Sequence, residues 1–285
     1  MATTVPARVL SDEDIADFNE FGYLVLRNVL TRDEADHYRN VILGMIPPDL
    51  TIPKPWKVKS GRIKPYHAGY GDQETRRGHE DNAIFDTPDL IPLLCHETPY
   101  RAAAELMGSA ELRAQDGTIG ITLRSDDGPT LTQNLHVDAS VPETLDNFTF
   151  SPAELTMGGA FYLTDVAPHG GGMYVVPGGH NLVAETARND PQGRHLFGNW
   201  VDIKGFPEPV EVTGSAGDFI MTHYLLPHCA SNNRNERARV AYFVRYARLD
   251  HPFYPPPTPS ASRYNTLQLR ALSPLGKQLL GLAPW

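Results

Sequence analysis

The chain has 285 residues, 41% of them hydrophobic and 21% charged, with a net charge of −9. This composition is typical of a soluble globular protein, and the acidic balance argues against nucleic acid as a partner. Cys95 and Cys229 are the only cysteines, no signal-peptide pattern opens the chain, and no apolar run could cross a bilayer, so we expect a cytoplasmic protein without disulfides or a membrane partner.

The N-terminal third of the chain is predicted to be mainly helical. Two capping boxes, at Ser11–Asp14 and Thr31–Glu34, mark helix starts. Gly22 and Gly108 follow helical patterns and are candidate C-caps. The predicted elements are a helix to about Glu20, a strand over Tyr23–Leu26, a helix towards Leu43, and a helical region from Asp86 to Met107 that is broken at Pro99.

A basic segment lies between these helices. From Lys54 to Arg77 there are seven cationic residues against two anionic ones, a local charge of +5. The segment is either a solvated loop or a flap at the mouth of the active site that contacts an acidic group of the substrate, and the sequence leaves both open. The candidate contacts are Lys57, Lys59 and Lys64.

After Gly108 the chain becomes a series of short β-prone runs separated by Gly and Pro, a pattern that indicates a sandwich, barrel or jelly roll. We expect one domain over residues 1–285, with helical support mainly over 1–108, a β core over about 109–250 and a weakly helical tail over 251–285. The predicted strands are Glu111–Ala114, Thr118–Leu123, Leu131–Asp138, Ala160–Asp165, Met173–Val176, Trp200–Ile203, Pro209–Val212, Asp218–Thr222 and Arg239–Arg245.

His136 and Asp138 form a His-x-Asp motif. On a strand, residues two apart point to the same face, so the imidazole and the carboxylate would enter one cavity. Such a pair supplies two ligands of the 2-His-1-carboxylate triad, which holds Fe(II) and leaves positions open to substrate and O₂. His223 and His228 both follow the Gly217-Asp218 turn and are candidates for the third ligand.

Two arginines follow on the next predicted strand. A guanidinium can bind the distal carboxylate of 2-oxoglutarate through two hydrogen bonds, with a charge that is fixed at any relevant pH. Arg237 and Arg239 are two residues apart and share a strand face, so alternation does not choose between them.

Taken together, these features resemble the phytanoyl-CoA dioxygenase-like family of Fe(II)/2-oxoglutarate oxygenases, over about four-fifths of the chain. The resemblance begins at the Gly22–Leu26 strand and extends to Tyr246. The matching pieces in between are His136-x-Asp138, the Gly-rich turn Gly170–His180, Gly217-Asp218, His228, Asn233 and Arg239.

The resemblance implies a double-stranded β-helix, the cupin-like jelly roll. The family's spacing of iron ligands favours His228 over His223 as the third ligand, beside His136 and Asp138. It likewise favours Arg239 over Arg237 as the 2-oxoglutarate arginine. Lower-ranked candidates are Gln133 and Thr122 as further co-substrate contacts, and Phe148 and Phe150 as a wall of the substrate site.

The implied activity is hydroxylation, or another oxidation, of an unactivated C–H bond of a small molecule in secondary metabolism, with Fe(II), 2-oxoglutarate and O₂. Desaturation, epimerisation or ring formation would use the same iron site. Two further classes are a cupin-like zinc enzyme and a jelly roll that binds metal without catalysis, and neither of them needs Arg239. The sequence leaves the substrate and the oligomeric state open.

The remaining polar candidates have simpler interpretations. His180 and Asp218 are predicted to stabilise turns, and Cys229 is predicted to be a packed thiol beside the site. His169 and His251 are predicted to be surface histidines.

Overall fold

A computed structural model of the chain describes residues 8–44, 62–63, 88–124, 135–138, 156–189, 205–252 and 266–285. The predicted strand Trp200–Ile203 lies outside these ranges. Among the helices within them, none combines the length and the apolar character that a membrane span requires.

The first two helices begin at the predicted capping boxes. In the first box the Asp14 amide donates to Ser11 Oγ at 3.0 Å, and the Ser11 amide donates to the Asp14 carboxylate at 2.8 Å. Gly22 ends this helix with a φ of 81°, which is a left-handed conformation that favours glycine. The described α-helices are α1 (Asp12–Phe21), α2 (Arg32–Gly44), α3 (Ile91–Leu94), α4 (Glu97–Met107), α5 (Gly179–Asn189), α6 (Thr266–Ala271) and α7 (Pro274–Leu279), and a short 3-10 helix over Pro88–Leu90 precedes α3.

The predicted helix break at Pro99 is wrong. The break lies at Cys95 and His96, between α3 and α4, and Pro99 is the third residue of α4. Proline is tolerated there because the first amides of a helix have no intrahelical partner.

The strands form two antiparallel sheets, which confirms the prediction of a β-rich core with helical support. The larger sheet has the order β1-β7-β4-β9-β3-β2 and the smaller one β6-β5-β8. The strands are β1 (Tyr23–Leu26), β2 (Arg62–Ile63), β3 (Leu112–Thr122), β4 (Thr156–Tyr162), β5 (Met173–Val175), β6 (Val210–Val212), β7 (Phe219–His223), β8 (His228–Ala230) and β9 (Arg239–Arg248).

Several elements differ from the predictions. Strand β2 was not predicted, β4 begins at Thr156 rather than Ala160, and residues 135–138 of the predicted strand Leu131–Asp138 hold only an isolated bridge. The two runs at Glu111–Ala114 and Thr118–Leu123 belong to one strand, β3, whose register shifts between Gln115 and Thr118. Such a bulge interrupts the alternation on which the prediction relied. Strand β8 and helix α5 were not predicted, the first because three residues carry no periodic signal.

The two faces of the larger sheet serve different purposes. Along β9 the even-numbered residues, such as Val240 and Val244, pack in the main core with the helices. The odd-numbered residues Ala241 and Phe243 pack in a second cluster with residues of the smaller sheet. Polar side chains on the odd face therefore enter the space between the two sheets.

Candidate metal centre

His136 and His228 lie opposite each other in an isolated antiparallel bridge. Each backbone amide donates to the other residue's carbonyl at 2.9 Å. The two imidazole rings consequently face the same region, with their centroids 4.4 Å apart. Since His228 is the first residue of β8, the bridge attaches the segment 135–138 to the smaller sheet.

Asp138 completes a group of three possible metal ligands. Its Oδ1 lies 3.9 Å from His136 Nε2, and its Oδ2 lies 3.7 Å from His228 Nε2. One ligand atom from each residue falls within 4.8 Å of the others. Two imidazoles and one carboxylate in this proximity are the donor set of a facial triad, so the residues fit a divalent iron ion.

The tautomer of His228 suits metal binding. Its Nδ1 lies 2.9 Å from the Leu226 carbonyl oxygen. Because a carbonyl only accepts, the proton of the neutral ring lies on Nδ1, which leaves the lone pair of Nε2 for a metal. A hydrogen bond of this kind also fixes the ring orientation of a metal-ligating histidine.

His223, the competing candidate, lies on the other face of the larger sheet. Its ring is 4.9 Å from that of His180 and 6.0 Å from that of Phe18, and its Nδ1 accepts a hydrogen bond from the Leu225 amide. Burial, with a smaller effect from His180, lowers the pKa of His223 to about 3. His223 is thus a packed neutral histidine.

Arg245 contacts the candidate ligand Asp138 and was not predicted from the sequence. Its Nη2 lies 2.6 Å from Asp138 Oδ2. Burial alone would raise the pKa of Asp138, but the charges of His228, Arg245 and His136 hold that pKa below its usual value. Alternation along β9 could have indicated this contact, because Arg245 is six residues from Arg239 and therefore lies on the same face of the strand.

Arg239 and Thr122 are adjacent between the sheets. Arg239 is 6% exposed, and it donates from Nε to the Gly171 carbonyl at 3.0 Å and from Nη2 to Thr122 Oγ1 at 2.8 Å. A Cβ atom at Gly120 would lie 3.5 Å from Arg239 Nη1. Arg237, in contrast, is exposed and precedes β9.

Several predicted contacts lie outside the described residues and stay predictions. They are the co-substrate candidate Gln133, the aromatic pair Phe148 and Phe150, and the basic residues Lys57, Lys59 and Lys64.

The remaining polar candidates have structural surroundings. Asp218 accepts hydrogen bonds from the Asn28 and Ser215 amides, at 3.0 and 2.8 Å, so it ties the N-terminal strand to the turn before β7. His180 contacts the Asn19 carbonyl oxygen, and Cys229 is buried. The prediction that His251 lies at the surface is wrong, because it is only 5% exposed.

Comparison with known families gives one match to a sequence profile. The profile of the phytanoyl-CoA dioxygenase (PhyH) family matches residues 18–241, which include the triad, Thr122 and Arg239. Among curated proteins, none has a sequence that matches the chain significantly.

Solved structures share the fold. The alpha ketoglutarate dependent carbocyclase SnoK from nogalamycin biosynthesis is 25% identical, with 93% of this chain and 92% of SnoK covered and a TM-score of 0.57. The epimerase SnoN, in complex with Fe3+ and alpha ketoglutarate, is 20% identical over 83% of each chain, also with a TM-score of 0.57. HygX from Streptomyces hygroscopicus, with nickel and 2-oxoglutarate bound, is 17% identical over 87% of this chain and 89% of its own, with a TM-score of 0.53.

Proposed function

Because the chain belongs to the phytanoyl-CoA dioxygenase family, we propose that it is an Fe(II)/2-oxoglutarate-dependent oxygenase. Its substrate is a small molecule of secondary metabolism, in which it hydroxylates or otherwise oxidises an unactivated C–H bond. The observation that carries the proposal is the group of two imidazoles and one carboxylate whose ligand atoms lie within 4.8 Å of one another. The corresponding fold is a single domain built on a double-stranded β-helix.

In this proposal His136, Asp138 and His228 hold the iron. Iron and 2-oxoglutarate together supply the oxidising chemistry, in which the keto acid is decarboxylated to succinate. The chain's part is to present three ligands on one side of the ion, so that the remaining positions serve the co-substrate and O₂. The hydrogen bond from His228 Nδ1 to the Leu226 carbonyl orients the ring, so that Nε2 of the neutral imidazole is the nitrogen that would bind the ion.

Arg239 binds the distal carboxylate of 2-oxoglutarate in the same proposal. Thr122 and the Gly171 carbonyl hold the guanidinium plane in one orientation. A buried guanidinium pairs strongly with a carboxylate because little water competes for its hydrogens. Burial in the space between the sheets supports Arg239, rather than the exposed Arg237, in this role.

Ring formation or epimerisation is the second candidate outcome. It is supported by the likeness to SnoK, a carbocyclase, over nine-tenths of the chain. Both outcomes start with removal of hydrogen from a C–H bond, so they need the same triad. The product separates them: a hydroxylated product gains one oxygen atom, a cyclised product loses two hydrogen atoms, and an epimerised product keeps its formula.

The test is whether the protein converts 2-oxoglutarate to succinate only when Fe(II) is added. We expect Asp138→Ala to lower the rate of succinate formation at least about tenfold. Replacing a residue that only hydrogen-bonds to a metal ligand already lowers activity by such a factor. Asp165→Ala, which removes a half-exposed carboxylate paired with Arg32, is the matched control. Succinate formation without iron, or full activity in Asp138→Ala, would refute the proposal.

A further inference from the structure

Arg245 is the one described cation in hydrogen-bond contact with Asp138. Its side chain is 45% exposed, so the contact is made where the guanidinium meets solvent. The half-exposed guanidinium limits what this ion pair adds to stability, although Asp138 itself is only 22% exposed. A role in the site itself explains the contact better than a role in folding.

The sheet directs Arg245 at Asp138. In the register of the larger sheet Arg245 lies opposite Gly158 of β4. A Cβ atom at Gly158 would come within 3.7 Å of Asp138 Oδ2 and within 3.2 Å of Thr222 Oγ1. Asp138 Oδ2 therefore lies next to β4 at Gly158, the residue opposite Arg245 in the sheet.

We propose that Arg245 is a positioning residue that holds Asp138 Oδ2, so that Asp138 offers only Oδ1 to the metal. This inference rests on the proposed function, because it concerns the same triad. It assigns to Arg245 a part in the reaction that is separate from the binding of iron and from the binding of 2-oxoglutarate.

The coordination number of the ion makes the second carboxylate oxygen important. An octahedral ion offers six positions, and the two histidines, one carboxylate oxygen and a chelating keto acid would fill five of them. A carboxylate that bound through both oxygens would fill the sixth, leaving none for O₂. Keeping Oδ2 in an ion pair prevents this, because a guanidinium hydrogen bond occupies the oxygen that would otherwise close the site.

The test measures access to the sixth position with nitric oxide as a surrogate for O₂. Anaerobic protein is loaded with Fe(II) and 2-oxoglutarate, and nitric oxide is titrated while the iron–nitrosyl signal is followed by electron paramagnetic resonance. We expect Arg245→Met to reduce this signal at least about tenfold while iron content stays that of the wild type. Arg245→Lys keeps a charged donor and should restore most of the signal.

Arg237→Met is the matched control, because it removes an exposed arginine just before the same strand. If methionine prevents folding, Arg245→Gln repeats the comparison with a neutral side chain of similar length.

The outcomes separate this inference from the proposed function. A wild-type protein that takes up neither iron nor 2-oxoglutarate refutes the proposed function. A wild-type protein that takes up both, with an equal nitrosyl signal in Arg245→Met, refutes only the role of Arg245. Loss of iron from Arg245→Met also overturns the inference, since the arginine would then sustain metal binding itself.

Discussion

Strand parity decides which single residues meet in this protein. Arg239 and Arg245 are six residues apart on β9 and both enter the space between the sheets. His223, on β7, has the opposite orientation and joins the helical side. The position of a polar residue within its strand thus separates candidate site residues from packed ones.

Arg239→Lys tests the co-substrate role at this scale. Lysine keeps the charge but loses the planar fork and the hydrogen bonds to Thr122 and Gly171. We expect the concentration of 2-oxoglutarate needed for half-maximal succinate formation to rise roughly 10- to 100-fold, the equivalent of about one hydrogen bond to a charged group. Arg237→Lys should leave it unchanged, and the reverse order would assign the role to Arg237.

The sequence predicted part of this site from spacing alone. His136 and Asp138 could be paired because alternation is a local rule. Alternation could not choose between His223 and His228, because a turn, in which the Leu226 amide donates to the His223 carbonyl, interrupts the strand between them. Arg245 was missed because its partner Asp138 is distant in sequence.

At the scale of elements, β4 is shaped by two consecutive glycines. Gly158 faces the site, beside Asp138. Gly159 faces the main core, where a Cβ atom would overlap the Phe219 ring and lie 2.5 Å from the Ile220 carbonyl oxygen. The close approach of β4 and β7 therefore depends on the absence of a side chain at 159.

Gly159→Ala is expected to reduce the free energy of unfolding by about 1–3 kcal/mol, because overpacking forces Phe219 from its position. Urea denaturation measures the change. Gly44→Ala is the control: position 44 ends α2 with nothing within 4 Å of the added atom, and alanine favours the helix. Equal stabilities of the two variants would contradict this account of β4.

Elements with strong local signals were predicted well. The capping box at Ser11 and the C-cap at Gly22 are both observed. Elements that depend on distant partners were not: β8 is a strand because it pairs with β5, and its three residues carry no pattern of their own. Pro99 shows that a proline predicts a helix end only when it lies beyond the first turn of the helix.

At the scale of the whole molecule, His223 couples folding to pH. Its pKa is lowered from 6.5 to about 3 in the folded protein. Between these values the unfolded chain binds a proton at this position and the folded chain does not. Stability therefore falls as the pH decreases below about 6.5.

His223→Asn should flatten this decline. Asparagine does not titrate, and its side-chain oxygen can replace Nδ1 as the acceptor for the Leu225 amide. We expect the loss of unfolding free energy between pH 7.5 and pH 5 to be smaller than in the wild type by roughly 2 kcal/mol. His169→Asn, at an exposed position, is the control in the same urea titrations. A decline as steep as that of the wild type would contradict the assignment.

The backbone bridge between His136 and His228 closes a long loop of the chain through its own two hydrogen bonds. Closing such a loop is entropically unfavourable, although the penalty grows only slowly with length. The folded chain has already lost this entropy when the bridge forms. We therefore expect an ion that binds both imidazoles to add little further order, and its loss to leave the loop closed. Structural zinc domains behave differently, because they unfold when the metal is removed. We therefore expect that the proposed centre can be stripped with a chelator and reloaded with another divalent ion while the protein stays folded.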